Sequence, residues 1–128
     1  MKNIALIIFL DSKGLVLLQQ KTYDAPNWPG VWSLFGGLVE AGENPLEAAL
    51  REAKEELGLE LSADDLSFFK EFPSPDKNRS VFIAKIPDHT KLVLQEGRGL
   101  GFFRKEETEH LEMPEHIQEI LRTYFRSL

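Results

Sequence analysis

The segment from Asn44 to Gly58 constrains this chain more than any other, because it carries its own start and stop signals. Asn44 can cap a helix, Pro45 suits the first helical position, and Glu47 completes an Asn-x-x-Glu capping box. Leu46, Ala49, Leu50, Ala53 and Leu57 recur at helical spacing as a core-facing stripe, and Gly58 supplies a left-handed stop. The spacing predicts a helix over 45–57.

The flanking segments read as strands. Ile4 to Leu10 and Leu15 to Gln20 surround the turn Asp11-Ser12-Lys13-Gly14, which predicts a hairpin of two largely buried strands. Residues 22 to 31 hold Pro26, Pro29 and Gly30 together with Tyr23 and Trp28, a breaker-rich aromatic loop of the kind that borders ligands. A short strand is expected over Val31 to Phe35, after which Gly36-Gly37 opens a second loop running to Asn44. Leu66 to Phe72 and Ser80 to Ile86 read as strands joined by residues 73 to 78, with a further strand near Leu100 to Phe103. Pro114 begins a terminal amphipathic helix through Ile117, Ile120, Leu121 and Phe125. Strands before and after one central helix, with another helix last, imply an α/β fold in which a mixed sheet is covered on both faces.

The 128 residues fit one compact domain, 1–128, and 42% hydrophobic with 28% charged residues is ordinary for a globular chain. The absence of cysteine leaves oxygen and imidazole as the available metal ligands. The opening Met1-Lys2-Asn3 and apolar Ile4 to Leu10 has the outline of a signal peptide, but Asp11 to Gly14 is a turn without a small-residue cleavage site. It reads as a buried strand, and a cytoplasmic location is the expectation. No run approaches the roughly eighteen apolar residues of a membrane span. The formal charge of −6 disfavours a nucleic-acid backbone as partner, and an acidic enzyme for a polyanionic substrate must recruit cations.

The predicted helix also carries Arg51, Glu52, Glu55 and Glu56. Residues three and four apart share a face, so the three glutamates are expected to project together, away from the apolar stripe. Like charges at that spacing cost roughly 0.2–0.5 kcal/mol per pair, and the last two stand near the helix C-terminus, where the macrodipole also disfavours anions. A divalent cation reverses both penalties, and an all-carboxylate cluster suits Mg²⁺ or Mn²⁺ better than zinc. A solvated acidic face is the alternative for three glutamates taken alone.

The wider pattern bears on that choice. Gly37, Glu43, Arg51, Glu52, Ala53, Glu55, Glu56, Gly58 and Leu59 fall in the order G-x5-E-x7-R-E-U-x-E-E-x-G-U, which resembles the signature box of the Nudix family. Ala53 is a smaller residue than the aliphatic one usual in that pattern, and Phe35-Gly36-Gly37 stands where many relatives have Pro-Gly-Gly. The order of the surrounding segments is similar to the loop-helix-loop within the family's α/β/α sandwich, and the length is similar to the small MutT-type members.

The resemblance implies that Glu52, Glu55 and Glu56 hold Mg²⁺ (or Mn²⁺) with the Gly37 carbonyl, that Glu52 or Glu55 is the general base, that Arg51 orients a glutamate and that Glu43 braces the loop. It also makes Glu96, in the glycine-rich stretch Gln95 to Gly99, a candidate further carboxylate, against ordinary surface charge. Lys21 and Arg98 are candidates for phosphate oxygens, against plain solvated cations. Tyr23, Trp28 and Phe35 are candidates for stacking on a base, against filling the core. His89, His110 and His116 lack a metal-ligand spacing and read as surface residues.

What the resemblance implies is Mg²⁺-dependent hydrolysis of a small diphosphate substrate, foremost a nucleoside triphosphate or an oxidised one giving a monophosphate and pyrophosphate. A nucleotide sugar or dinucleotide is the second reading, and a non-catalytic nucleotide sensor the third. Nothing in the sequence chooses between monomer and homodimer.

Overall fold

The computed structural model describes residues 1–88, 90–95 and 97–128. Its spine is β1, Lys2–Leu10, which sends Ala5, Ile7 and Phe9 into one hydrophobic cluster and Leu6, Ile8 and Leu10 into another on the opposite face. A strand buried on both faces must be apolar at every position, and Ile4 to Leu10 is.

Strand β2, Val16–Gln20, returns antiparallel through the pairs Phe9↔Leu17 and Leu10↔Val16. β3, Trp32–Ser33, pairs with β2, whereas β4, Phe35–Leu38, pairs with β1 through Ile4↔Leu38 to Ile7↔Phe35. This corrects the expectation of one strand over Val31 to Phe35 followed by a loop from Gly36. The chain changes neighbours at Leu34, because one edge of β1 is divided between two strands, and the glycines lie inside the sheet. Gly36 is required there: at φ 140° a Cβ would stand 2.0 Å from the Ala5 carbonyl oxygen.

Helix α1 covers Pro45–Leu57 as predicted, with both halves of the Asn44–Glu47 capping box formed and Gly58 at φ 68° as the left-handed cap. A 3₁₀ turn at Ala63–Asp65 leads into β5, Ser67–Pro73, and then β6, Lys77–Lys85. β6 runs parallel to β1 in unbroken register from Lys2↔Lys77 to Leu10↔Lys85. β7, Gly99–Phe103, joins β2 from its other side, the short helix α2 covers Lys105–Thr108, and α3 spans Glu115–Arg126. The 3₁₀ turn and α2 are too short to show a periodicity in sequence.

The result is a seven-stranded mixed sheet in the order β3-β2-β1-β6-β5, with β4 and β7 as additional neighbours of β1 and β2. Ala48, Ala49, Ala53 and Leu57 of α1 cover one face, and Ile117, Ile120, Leu121 and Tyr124 of α3 cover the other. The fold is therefore the expected α/β sandwich. Two details differ: Tyr124 is buried more deeply than the anticipated Phe125, and Leu46 and Leu50 of α1 are only partly buried while Glu56 is buried. No helix among the described residues is long and apolar enough to cross a membrane.

Candidate active site

The divided edge of β1 leaves a notch between β2 and β4, and the carboxyl group of Glu56 fills it. The Gly36 N–H donates to Glu56 Oε1 at 2.8 Å, and Gln19 Nε2 donates to Oε2 at 2.9 Å while also reaching the Leu34 carbonyl at 3.3 Å. Glu56 is only 8% exposed. Burial pushes its acid up to about 8, against the pull of the Gln19 and Gly36 hydrogen bonds, with the Glu52 carboxylate adding repulsion.

Glu52 stands one helical turn earlier, beside Gly37. A Cβ on Gly37 would lie 2.5 Å from Glu52 Oε1, so the absence of a side chain at 37 makes room for this carboxylate. Glu55, by contrast, is largely exposed and accepts from Arg51 Nη1 at 3.2 Å. The three glutamates thus do not share one environment as their spacing suggested. Their side chains leave the helix over an arc wide enough that Glu56 enters the sheet, Glu52 lies along its surface and Glu55 turns to solvent. Among the described residues no three carboxylates or imidazoles converge closely enough to hold a metal ion. Glu52 and Glu56 do adjoin, with Gly37 beside them. This all-oxygen donor set, in which burial and a neighbouring anion both penalise ionisation, fits a hard divalent cation.

Arg51 ties the loop before α1 to the helix. Its Nε and Nη2 donate to the two oxygens of Glu43 at 2.8 and 3.0 Å, Nη2 also reaches the Leu38 carbonyl at 3.0 Å, and Nη1 donates to Glu52 Oε1 at 3.0 Å. The fork-on-fork pairing sets the guanidinium plane, lowers the Glu43 acid and raises that of Arg51. Arg51 thereby orients Glu52, and Glu43 braces the loop, since its Oε1 also accepts from the Glu40 N–H at 2.9 Å.

A cleft of about 980 Å³ opens from Glu56, Gly36 and Gly37 across the α3 side of the sheet, between the 22–28 loop and the start of α3. Lys21 and Trp28 line it. Trp28 holds a left-handed φ of 55° and sets its ring edge-on to His116, 6.2 Å away. Large aromatics seldom accept such a backbone, and strain of this kind collects at ligand sites. Gln95 and Gly97 close the near end, where the Gln95 N–H caps the Glu56 carbonyl at 2.9 Å. Glu96 lies outside the described residues, as does His89.

Several anticipated residues stand elsewhere. Phe35 is fully buried against Phe9, with ring centroids 5.8 Å apart; it packs the core and presents no face to a ligand. Tyr23 and Arg98 occupy each other: the guanidinium lies 4.2 Å from the ring centroid and donates to the Tyr23 hydroxyl at 2.9 Å. That pair stands outside the cleft lining. His116 is not a surface residue but lines the cleft, where burial, followed by Arg79, Lys77 and Lys21, holds its imidazole down near 4. His110 is exposed. Lys2, Lys77 and Arg79 also line the cleft, and sequence reasoning missed them. Lys77 and Arg79 are two residues apart, a strand period that places them on one face, but only the parallel register with β1 brings that face to the cleft.

The NUDIX domain family model matches residues 2–124. A Nudix hydrolase of Listeria innocua is 34% identical over 110 residues, covering 82% of this chain and 64% of that protein. The nucleoside triphosphatase NudI of Escherichia coli is 40% identical over 58 residues, 45% of this chain and 41% of its own length. The chain spans as little as 8% of a curated relative it matches, an Arabidopsis thaliana Nudix hydrolase. Among solved structures, a MutT from work on Aliivibrio salmonicida and Vibrio cholerae superimposes with a TM-score of 0.83 at 20% identity, covering 99% of this chain and 98% of that one.

Proposed function

The chain belongs to the NUDIX domain family, and from that premise we propose that residues 1–128 form one catalytic domain hydrolysing the diphosphate linkage of a nucleoside triphosphate to a monophosphate and pyrophosphate. The observation that carries this reading is the buried Glu56 carboxyl, set beside Glu52 at the wall of a cleft large enough for a nucleotide. Burying an acid beside a second one destabilises a fold, and the arrangement makes sense where a cation and a phosphate are to be received.

Glu52, Glu56 and the Gly37 carbonyl would hold the divalent ion, taken as Mg²⁺ with Mn²⁺ as substitute. Glu55 would join them on leaving Arg51. The ion supplies charge neutralisation for the diphosphate oxygens and acidifies water. The chain's own contribution is positional. Arg51 holds Glu52, and the Gly36 N–H and Gln19 amide hold Glu56, so two carboxylates meet the substrate already oriented. Glu52 or Glu55 takes the proton from the attacking water, since Glu56 is already engaged on both oxygens. Lys21 at the cleft wall neutralises phosphate charge, and Trp28 offers the exposed ring against which a base can stack.

The test is a panel of nucleoside triphosphates, oxidised guanine nucleotides, nucleotide sugars and dinucleotides incubated with Mg²⁺, with Glu56→Gln as control and products resolved chromatographically. Selective triphosphate turnover absent from the control supports the proposal. Preference for a nucleotide sugar or dinucleotide replaces the substrate class, and ligand binding without any product overturns the enzymatic reading.

A further inference from the structure

The far end of the cleft holds more positive charge than a neutral base or sugar calls for. Lys2 and Lys77 are direct partners across the parallel β1–β6 pairing, and Arg79 follows on the same face, paired with Ile4. All three line the cleft. Arg79 is only 9% exposed, yet among the described residues its guanidinium makes no hydrogen bond or ion pair. Glu71 and Glu119 share an adjoining hollow with it, but neither pairs with it. None of the guanidinium nitrogens is sealed from solvent, so the stem of Arg79 is buried while its charged head stands open and unpaired in the cleft, and two lysines facing each other add repulsion. The backbone offers no relief, because β6 spends its N–H and C=O groups on β1 and β5.

From this geometry we infer that Arg79, Lys77 and Lys2 form a second phosphate subsite, which takes a phosphoryl group other than the two joined by the cleaved bond. By ordinary sheet spacing, Arg79 stands two strands across and two residues along from Gly36, about 12 Å between Cα atoms. That separation is of the order of a nucleotide and puts the subsite beyond the diphosphate held at Glu52 and Glu56. The inference rests on the proposed reading of the cleft as a diphosphate site. Two substrates present the same chemistry at that distance: one with a phosphomonoester on its ribose, and one with a longer phosphate chain. Asp24, the other acid on the cleft wall besides Glu56 among the described residues, belongs to the 22–28 loop and not to the β1–β6 floor.

Calorimetric titration of metal-free protein separates the two sources. Adenosine 3′,5′-bisphosphate is compared with adenosine 5′-monophosphate, and α,β-methylene ATP with α,β-methylene ADP. In one pair the extra phosphate should tighten binding by about tenfold or more. Arg79→Gln should reduce that preference to about twofold while leaving affinity for the poorer ligand of the pair unchanged, and Arg79→Lys should restore part of it. Lys77→Gln, at a half-buried strand end, gives a second reading that does not depend on the buried arginine site folding, and should weaken the preference several-fold. No preference in either pair, or a preference untouched in both Gln variants, overturns the inference. A preference in a protein that hydrolyses no diphosphate sinks the proposed activity and leaves the subsite standing; turnover without a preference does the reverse.

Discussion

Replacing Glu56 by glutamine should change how the stability of the metal-free protein depends on pH. In the unfolded chain the Glu56 acid ionises near 4.5, and in the folded protein near 8. Between those values the folded form keeps a proton that the unfolded form has lost, so stability rises as pH falls through the window and is lost on the way up. Each pH unit inside it is worth about 1.4 kcal/mol at most. His116 moves the other way, since its folded value near 4 lies below its ordinary 6.5, and it contributes mainly below 6.5. The interval from pH 8 to 6.5 is therefore dominated by Glu56. Integration over it gives wild-type protein about 2 kcal/mol from Glu56, allowing for half-ionisation at the upper end. Glutamine cannot accept from both the Gly36 N–H and the Gln19 amide, so the variant should start about 1 kcal/mol below the protonated wild type. Its stability should then be flat across the same interval. Urea unfolding in the presence of a chelator at several pH values measures both. Parallel pH profiles for the two proteins would refute the claim that this buried acid is the group responsible.

Further outcomes follow from the same geometry. Saturating Mg²⁺ should raise the wild-type melting temperature more than that of Glu56→Gln, because the ion binds the folded state alone; equal shifts in a thermal scan place the ion elsewhere. Gly36→Ala and Gly37→Ala should part company. The first drives a Cβ into the Ala5 carbonyl at φ 140° and should cost about 3 kcal/mol or more, or prevent folding. The second meets only the tip of the Glu52 side chain, so calorimetry should find it folded while turnover falls about a hundredfold. Arg51→Gln loses the paired bonds to Glu43 and the bonds to Leu38 and Glu52; a melting temperature lowered by about 5 °C, with turnover lost, is the expected pair of readings. Between pH 6.5 and 4.5 the His116 loss offsets the Glu56 gain, so wild-type stability should be nearly level there, whereas His116→Asn should gain stability as pH falls, as read by urea unfolding over that range.

What the sequence determined was local. Helix α1, its Asn44 and Glu47 cap, its Gly58 stop and its apolar stripe are written in residues a few positions apart, and α1 came out at the predicted boundaries because those interactions are made within the element. The double burial of β1 was legible for the same reason, since a strand covered on both faces must be apolar throughout. The family was legible from the spacing of Gly37, Glu43, Arg51 and the glutamates. Tertiary structure decided the remainder. The strand break at Leu34 depends on β1 sharing its edge between β2 and β4. Glu56 is buried, and Glu55 is not, because the sheet has a notch at one point along the helix. Phe35 is sealed against Phe9, and His116 is drawn into the cleft beside Arg79 and Lys77, through contacts between segments far apart in the chain. Periodicity tells which residues share a face. It does not tell which face of which neighbour they meet, because that is set by strand register and helix docking, the free energies of which are summed over the whole core.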